Sequence, residues 1–407
     1  MAFTVPSWIN GTEETHAESF PVIDPSTGKA CWDAASASPA DALLAVEAAS
    51  AALPGWKATK PMLRQSILLK AAMLMEERAD ELCGYVRTEM GTDAFVARHI
   101  ILQLAIDMFR DCAGRAPGIC GSVPTVKAEG QSAMVWKEPY GVILGIVPWN
   151  APYVFGVPYP RSYWALGKIF HDAGVPPGVV NVISCQPTAA AELARVMVEH
   201  PAVRKVNFTG SASVGRKVAC LCSQNLKPVL LELGGKNSAI ILPDADLQKA
   251  AQACIMGGFA NSGQICMSTD RLLKGAEIFS GGPPPSGDAA HFIPTVIGKL
   301  SKDMEAYKEE NFGPLMGWVT VKDEDEAVEI ANNSGYGLSA SIFTRDLRKG
   351  FALARKLETG AVHINSMTVH DETALPFGGI NRSGWGRFNA AEGMEEFLVT
   401  KSVTWDD

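Results

Sequence analysis

The chain reads as an α/β protein: two doubly wound α/β domains with a small β flap set apart from both. Three observations predict this. The run GVILGIVP at 141–148 is apolar without alternation, as expected of a strand buried on both faces of a parallel sheet. Strand and helix patterns alternate from there to 236, and a second alternating series occupies 246–365. Outside both series, 125–136 and 401–405 have strand character and suit an oligomerisation flap.

The segment up to Trp32 is punctuated by Pro and Gly, with DPSTGK at 24–29 a turn between short strands. Ser38 then caps, and Pro39 opens, an Ala/Leu helix ending near Leu53. Apolar residues recur at helical spacing over 61–89, and Gly91 is suited to stop that helix. A further helix spans 94–113, where His99 reads as a packed or surface residue. Residues 125–136 alternate around Glu129 and Gly130 as a hairpin-like excursion.

In the first α/β series a helix over 162–173 closes at Gly174. Then come the strand GVVNVIS (178–184), a helix over 189–199 and the strand VRKVNFTG (203–210). Residues 210–215 open another helix, and PVLLELGG (228–235) is the last strand; ligands belong at the C-terminal ends of such strands. The second series has a helix over 246–257, the strand GWVTV (317–321) and a helix over 323–332. The strand LSASIF (338–343), a helix over 346–358 and the strand GAVHIN (360–365) complete it. The Gly/Pro run at 281–285 is a surface loop.

Composition narrows the function. With 407 residues, 47% hydrophobic and 20% charged, the chain is long enough for two or three well-cored domains. A net charge of -8 argues against nucleic acid and against an anionic membrane as partners. No run is apolar and long enough to span a bilayer, and the opening MAFTVPSWING lacks the pattern of a secretory leader. Nine cysteines form no CxxC pair and no zinc spacing, so no metal is expected. Their odd number and the missing leader point to reduced thiols in the cytoplasm.

One cysteine stands out. Cys266 lies in NSGQICMS (261–268), between small, flexible residues and a hydroxyl. A cysteine is in general a packing residue, but a thiolate reached there would attack a carbonyl, given a base and an oxyanion donor. Placed at the opening of the second α/β series, it would face an interdomain cleft. Three other motifs sit at strand ends. Asn150 closes PWN (148–150) and can donate to an oxyanion. FTGSASVG (208–215) can present backbone N–H groups to a phosphate, although a tight strand–helix turn explains its glycines equally well. Glu232 in LELGGK (231–236) is either an ordinary surface or ion-paired carboxylate or, desolvated in a cleft, a general base.

In this order, GIVPWNAP, GVVNVI, VNFTGSASVG, LELGGK, NSGQICMS, EENFGPL, NNSGYGLSASIF and PFGGINRSGWGRF resemble the aldehyde dehydrogenase superfamily over nearly the whole chain. LELGGK followed by GQxC is the most specific pairing. VHDETALPFGG, NVIS and HDAGVPPG resemble the branch acting on aromatic aldehydes such as vanillin or salicylaldehyde. The resemblance implies the aldehyde dehydrogenase-like fold and NAD(P)-dependent oxidation of a small, aromatic aldehyde to a carboxylic acid. Cys266 would be the nucleophile that forms a thiohemiacetal, with Asn150 and the Cys266 N–H holding the oxyanion. Hydride transfer to the nicotinamide would leave a thioester, and Glu232 would activate the water that releases the acid. The cofactor, NAD favoured over NADP, would lie along Val147, Pro148 and Trp149. Its pyrophosphate would lie along Gly210, Ser211 and Gly215, and Glu310 with Phe312 would hold the nicotinamide ribose. This chemistry asks for a lowered cysteine pKa and a base near neutrality. The same resemblance assigns 1–120 and 140–232 to cofactor binding and 233–390 to catalysis. It gives 121–139 and 391–407 to the contacts of a homodimer or homotetramer. Tyr153, Phe155 and Val157 either line an aromatic-accepting tunnel or pack in the core. His370 and Asp371 read as loop residues without a role.

Two family segments have no counterpart. After PWNAPYVFGV the chain passes at once to VPYPRSYWALGK (157–168), without the strand and Lys-containing turn that bind the adenosine ribose; Lys168 is a poor substitute. GVVNVI therefore either pairs directly with ILGIV or leaves a gap beside it. After MSTDRLL (267–273) the chain moves straight to KGAEIFSGG, and loss of the usual helix–strand material would expose apolar surface. Three functions follow from the sequence: the dehydrogenase, a cofactor-independent thiol esterase using the same Cys266, Glu232 and Asn150, or an inactive product of a truncated gene.

Overall fold

A computed structural model of the chain describes residues 3–153, 159–273, 292–298 and 300–406. β1 (Glu18–Asp24) and β2 (Lys29–Ser36) form the expected hairpin, turned where Gly28 N donates to Asp24 O at 2.8 Å. Ser38 caps α1 (Pro39–Ala58) reciprocally: its hydroxyl accepts from Asp41 N, and the Asp41 carboxylate accepts from Ser38 N. The helix runs past Leu53 with Pro54 inside it. Its last turn is held instead by Arg64, which donates to Trp56 O and Lys57 O and lies over the Trp56 ring.

The helical run 61–89 divides at Arg78 into α2 (Pro61–Glu77) and α3 (Ala79–Met90), and Gly91 ends it at φ 68°. The next helix begins as a π-helical turn, Val96–Leu102, before α4 (Gln103–Arg115). The hairpin expected over 125–136 has only one arm. β3 (Gln131–Pro139) is a strand, whereas the residues before Gly130 contribute a single bridge, Ser122 to Val135.

β4 (Val142–Ile146) is the GVILGIVP strand. α5 (Pro160–Ala173), α6 (Ala190–Glu199), β5 (Val203–Gly210), α7 (Ala212–Gln224) and β6 (Val229–Leu233) follow as expected. The exception is GVVNVIS. It forms no strand of this sheet, and its one bridge is from Val182 to Trp8. β4 pairs with β5 alone, so among the described residues its other edge is open, and Gly145 on it is exposed. With no intervening strand, 178–184 has no ladder to join and lies instead against the N-terminal segment.

The second series begins with β7 (Asn237–Ile241), a strand not singled out in the sequence. α8 (Leu247–Phe259), β8 (Thr269–Leu273), β9 (Thr295–Ile297), β10 (Leu315–Val319), α9 (Glu324–Asn332), β11 (Ser339–Phe343), α10 (Leu347–Ala354) and β12 (Ala361–Ile364) follow. They make a six-stranded parallel sheet ordered β9-β10-β8-β7-β11-β12. Alternate side chains of β7 face opposite layers. Ile240 packs with Ala327, Ile330 and Leu353 of α9 and α10, while Ala239 packs with Ala250 and Cys254 of α8. On α8, Leu247, Ile255 and Met256 are exposed.

Two late strands return to earlier sheets. β13 (Gly384–Trp385) pairs antiparallel with β6, giving the order β13-β6-β5-β4. β14 (Leu398–Asp406) pairs antiparallel with the whole of β3 and completes a two-stranded flap. The C-terminal ends of the first sheet thus meet the N-terminal ends of the second, since only 234–236 separate β6 from β7.

Glu89 ties the helical layer to α5. Its buried carboxylate accepts from Trp32 Nε1, Arg161 N, Ser162 N and Ser162 Oγ, satisfying the first turn of α5 from outside the helix. Glu89→Ala leaves these donors buried and unpaired. It is expected to lower stability by about 3 kcal/mol, read as a fall in the urea midpoint with an unchanged slope.

Candidate active site

Glu232 is placed by backbone pairing on both sides. In β6 it lies opposite Thr209 of β5 and opposite Gly384 of β13. Position 384 must be glycine: its φ is 102°, and a Cβ there would lie 2.0 Å from Leu231 O. The Glu232 side chain is 1% exposed, and its Oε1 makes no hydrogen bond among the described residues. Burial pushes this carboxyl up to about 8, and the charges of Glu310 and Asp371 add to the effect. A hydrogen bond with the Cys266 thiol acts the other way.

That thiol sits in a turn shaped by unusual backbone. After α8, Asn261, Ser262 and Gly263 take φ values of 50°, 56° and 70°. Ser268 N then donates to Ile265 O at 2.8 Å, closing the turn that carries Cys266. Asn237, at the start of β7 and 2% exposed, fixes the turn from below. Its Nδ2 donates to Cys266 O at 2.8 Å and Ser268 O at 2.9 Å, and its Oδ1 accepts from Ser339 N at 3.0 Å. Thr368 Oγ1 donates to Met267 O at 2.7 Å. Asn150 Nδ2 donates to Gln264 O at 3.1 Å, which spends one of its two amide protons and leaves the other.

Cys266 is half-buried. The expectation of a lowered thiol pKa is reversed. Burial first, then the charge and hydrogen bond of Glu232, then Glu310 and Asp371, hold it well above the usual thiol range. Carboxylates surround this sulfur, and like charge favours the neutral thiol.

The remaining residues form two groups. Glu310 reaches back to the 234–236 connection, where its Oε1 accepts from Gly235 N at 3.0 Å. A Cβ at Gly234 would lie 2.0 Å from Glu310 Oε2 and would push the carboxylate aside. Burial raises Glu310 to about 7. Its loop is anchored by buried Asp270, whose Oδ1 accepts from Asn311 N at 3.4 Å and pairs with Lys236 Nζ at 3.3 Å. Phe312 stands edge-on to Trp149, ring centres 5.7 Å apart, and Val147 and Pro148 lead into that loop from β4. Gly210 ends β5, Ser211 Oγ caps α7 by accepting from Val214 N, and Gly215 is buried one turn in.

For Tyr153 the core-packing alternative holds, and Asp371, Asn237 and Thr368 are residues without an expected role that bear on the site. Tyr153 packs in the helical core and donates to Leu82 O at 3.0 Å, so it is no tunnel residue; Phe155 and Val157 lie outside the described residues. Asp371, given no role from sequence, acts electrostatically on both Glu232 and Cys266. Asn237 and Thr368 were missed as well. A polar residue opening an otherwise apolar strand directly after GGK was the available signal for Asn237.

Comparison with known proteins shows the family and the fold. The aldehyde dehydrogenase family pattern matches residues 11–157, 158–274 and 272–403, breaking at the two places where segments have no counterpart. The chain is 34% identical over 472 aligned positions to vanillin dehydrogenase of Pseudomonas sp. (strain HR199), covering 99% of this chain and 98% of that one. It is 32% identical to salicylaldehyde dehydrogenase of Pseudomonas putida, with 98% and 96% covered. The crystal structure of a salicylaldehyde dehydrogenase from Pseudomonas putida G7 complexed with salicylaldehyde superimposes with a TM-score of 0.95 at 29% identity, covering 100% and 98% of the two chains. By sequence over nearly its whole length and by fold, the chain belongs to the NAD(P)-dependent aldehyde dehydrogenase family.

Proposed function

We propose that this protein oxidises an aromatic aldehyde to the carboxylic acid through covalent chemistry on Cys266. The observation that carries this reading is that the buried Glu232 carboxyl acts electrostatically on the Cys266 thiol, whose turn is held by the Asn150 amide through Gln264 O. Glu232 takes the thiol proton as sulfur attacks the carbonyl carbon. The free amide proton of Asn150 and the Cys266 N–H meet the oxygen that becomes negative. What a bound nicotinamide dinucleotide supplies is the acceptor for the hydride that leaves the thiohemiacetal carbon. Glu232 then passes the thiol proton to solvent, and the resulting thioester is cleaved by a water that loses its proton to Glu232, whose unpaired Oε1 is a ready acceptor, while the Cys266 sulfur leaves and takes that proton back.

The residues present fit the nicotinamide half of the cofactor. The Glu310 carboxylate is desolvated and keeps acceptor capacity for ribose hydroxyls, with Phe312 and Trp149 beside it. Ser211 and the first turn of α7 offer N–H groups for phosphate at the end of β5. NAD is favoured over NADP because an added phosphate calls for a free cation. Of the two cations that follow the joined segment, Arg161 lies over the rings of Phe3, Trp32 and Tyr85, and Lys168 is engaged with Asp172 at 3.6 Å. The β3–β14 flap would join copies into a homodimer or homotetramer. A second reading, ester hydrolysis without dinucleotide by the same pair, is favoured by the open edge of β4, where the adenosine side of the sheet ends.

Two measurements test this. Calorimetric titration should show NAD binding with at least about tenfold higher affinity than NADP; no binding of either would favour the esterase. Acid production should rise with pH through about 8, because a base works only once its proton is lost and burial holds Glu232 up to there. Glu232→Gln should lose that rise and about 100-fold or more in kcat, and Cys266→Ser should lose about 1000-fold. An unchanged profile in Glu232→Gln would contradict the assignment.

A further inference from the structure

The Glu310 carboxylate meets Gly235 N, and the chain is held again on each side of it. After it, Asn311 N donates to Asp270 Oδ1. Before it stands Glu309, which takes no part in the reaction. Arg382 grips the Glu309 carboxylate as a fork: Nη2 donates to Oε2 at 2.7 Å and Nη1 to Oε1 at 3.3 Å. Tyr336 OH donates to the same Oε2 at 2.9 Å and accepts from Arg382 Nη2 at 3.1 Å. The guanidinium lies 4.4 Å from the centre of the Tyr336 ring. A lone surface ion pair holds little, but a fork closed by a third group fixes a geometry.

Arg382 belongs to a stretch that serves the rest of the site. Its N donates to Gly335 O at 3.0 Å. Ser383, fully buried, donates from Oγ to Gly234 O at 2.7 Å and accepts from Gly337 N at 2.9 Å, and Gly384 lies opposite Glu232. Two adjacent side chains thus hold both ends of the Gly235–Glu310 contact, Ser383 beside Gly235 and Arg382 beside Glu310. The loop needs holding. Phe312 has a φ of 47°, which a bulky residue keeps only where its surroundings enforce it.

We propose that Arg382 is a positioning residue: through Glu309 it fixes the place of Glu310, and with it the affinity of the site for the nicotinamide dinucleotide. The inference rests on the reading of Glu310 as the ribose acceptor and adds to it the residue that holds it ready. Without the fork the Glu309 carboxylate turns to water and the loop loses its anchor on that side. Glu310 must then be ordered anew each time the dinucleotide binds. That cost falls on binding and not on the chemical steps, so KM for the dinucleotide carries it and kcat does not.

The test uses the full chain with benzaldehyde and NAD. Arg382→Gln should raise KM for NAD about tenfold while changing kcat by less than about twofold. Glu309→Gln should do the same, and the double variant should be no worse than either, because both remove one contact. Arg382→Lys, which keeps the charge and loses the fork, should fall between the wild type and Arg382→Gln. An unchanged KM in Arg382→Gln, effects of the two variants that add, or a kcat that falls as far as KM rises overturns the proposal. Should Arg382→Gln fail to fold, Glu309→Gln and Arg382→Lys decide in its place. Glu310→Gln separates this inference from the reading beneath it. A raised KM there with an unchanged one in Arg382→Gln sinks this inference alone. An unchanged KM in Glu310→Gln, or no turnover by the wild-type protein, sinks the ribose reading and this inference with it.

Discussion

A buried carboxyl group with no counter-cation, set against a thiol, is the constraint on which this structure turns. A carboxylate in that position is costly unless paired, so it stays protonated to unusually high pH. Holding it there takes a rigid frame. Glu232 sits in the middle of a ladder rather than on a loop, with neighbours on both sides and a glycine at 384 to let the second neighbour approach. Proton exchange between carboxyl and thiol then becomes the natural chemistry, because burial raises both groups and each is the other's hydrogen-bond partner.

The frame joins two sheets by their opposite ends. The first sheet delivers Asn150, Ser211 and Glu232 at the C-terminal ends of its strands, and the second delivers Asn237 and the cysteine turn at N-terminal ends. Asn237 links them: one amide gathers two carbonyls of the cysteine turn and the N–H that opens β11. Such a buried, fully used amide specifies one arrangement of the turn, since any other would leave its donors unpaired. The same logic explains how the site tolerates a chain shortened in two places. Both breaks fall outside this network, one at the open edge of β4 and the other past β8.

Much of this was legible in sequence because the signals were local. Ser38 with Asp41, Asp246, Asp323 and Asp346 mark helix starts by side-chain caps, and Gly91 and Gly174 mark stops. Cys266, Glu232 and Asn150 stand out in the sequence because each lies in a short, specific motif. What was not legible depends on partners far away in the chain. GVVNVIS has a strand's composition but no neighbour to pair with, and Tyr153 turned inward because Leu82 O was there to receive its hydroxyl. The thiol's acid strength was misjudged for the same reason. It is set first by burial and then by Glu232, with Glu310 and Asp371 adding to them, and the three carboxyl groups are 34, 44 and 105 residues away from Cys266 in the chain.

The central claim, that the Glu232 carboxyl touches and charges the environment of the Cys266 thiol, is tested most directly by the pH dependence of alkylation at Cys266. Labelling with iodoacetamide would be resolved from the other cysteines by peptide mass. Removing the charge with Glu232→Gln should favour the thiolate, so the labelling midpoint should move to lower pH than in the wild-type protein. A midpoint that stays where it was, or a Cys266 that the reagent does not reach in the folded protein, would contradict the account.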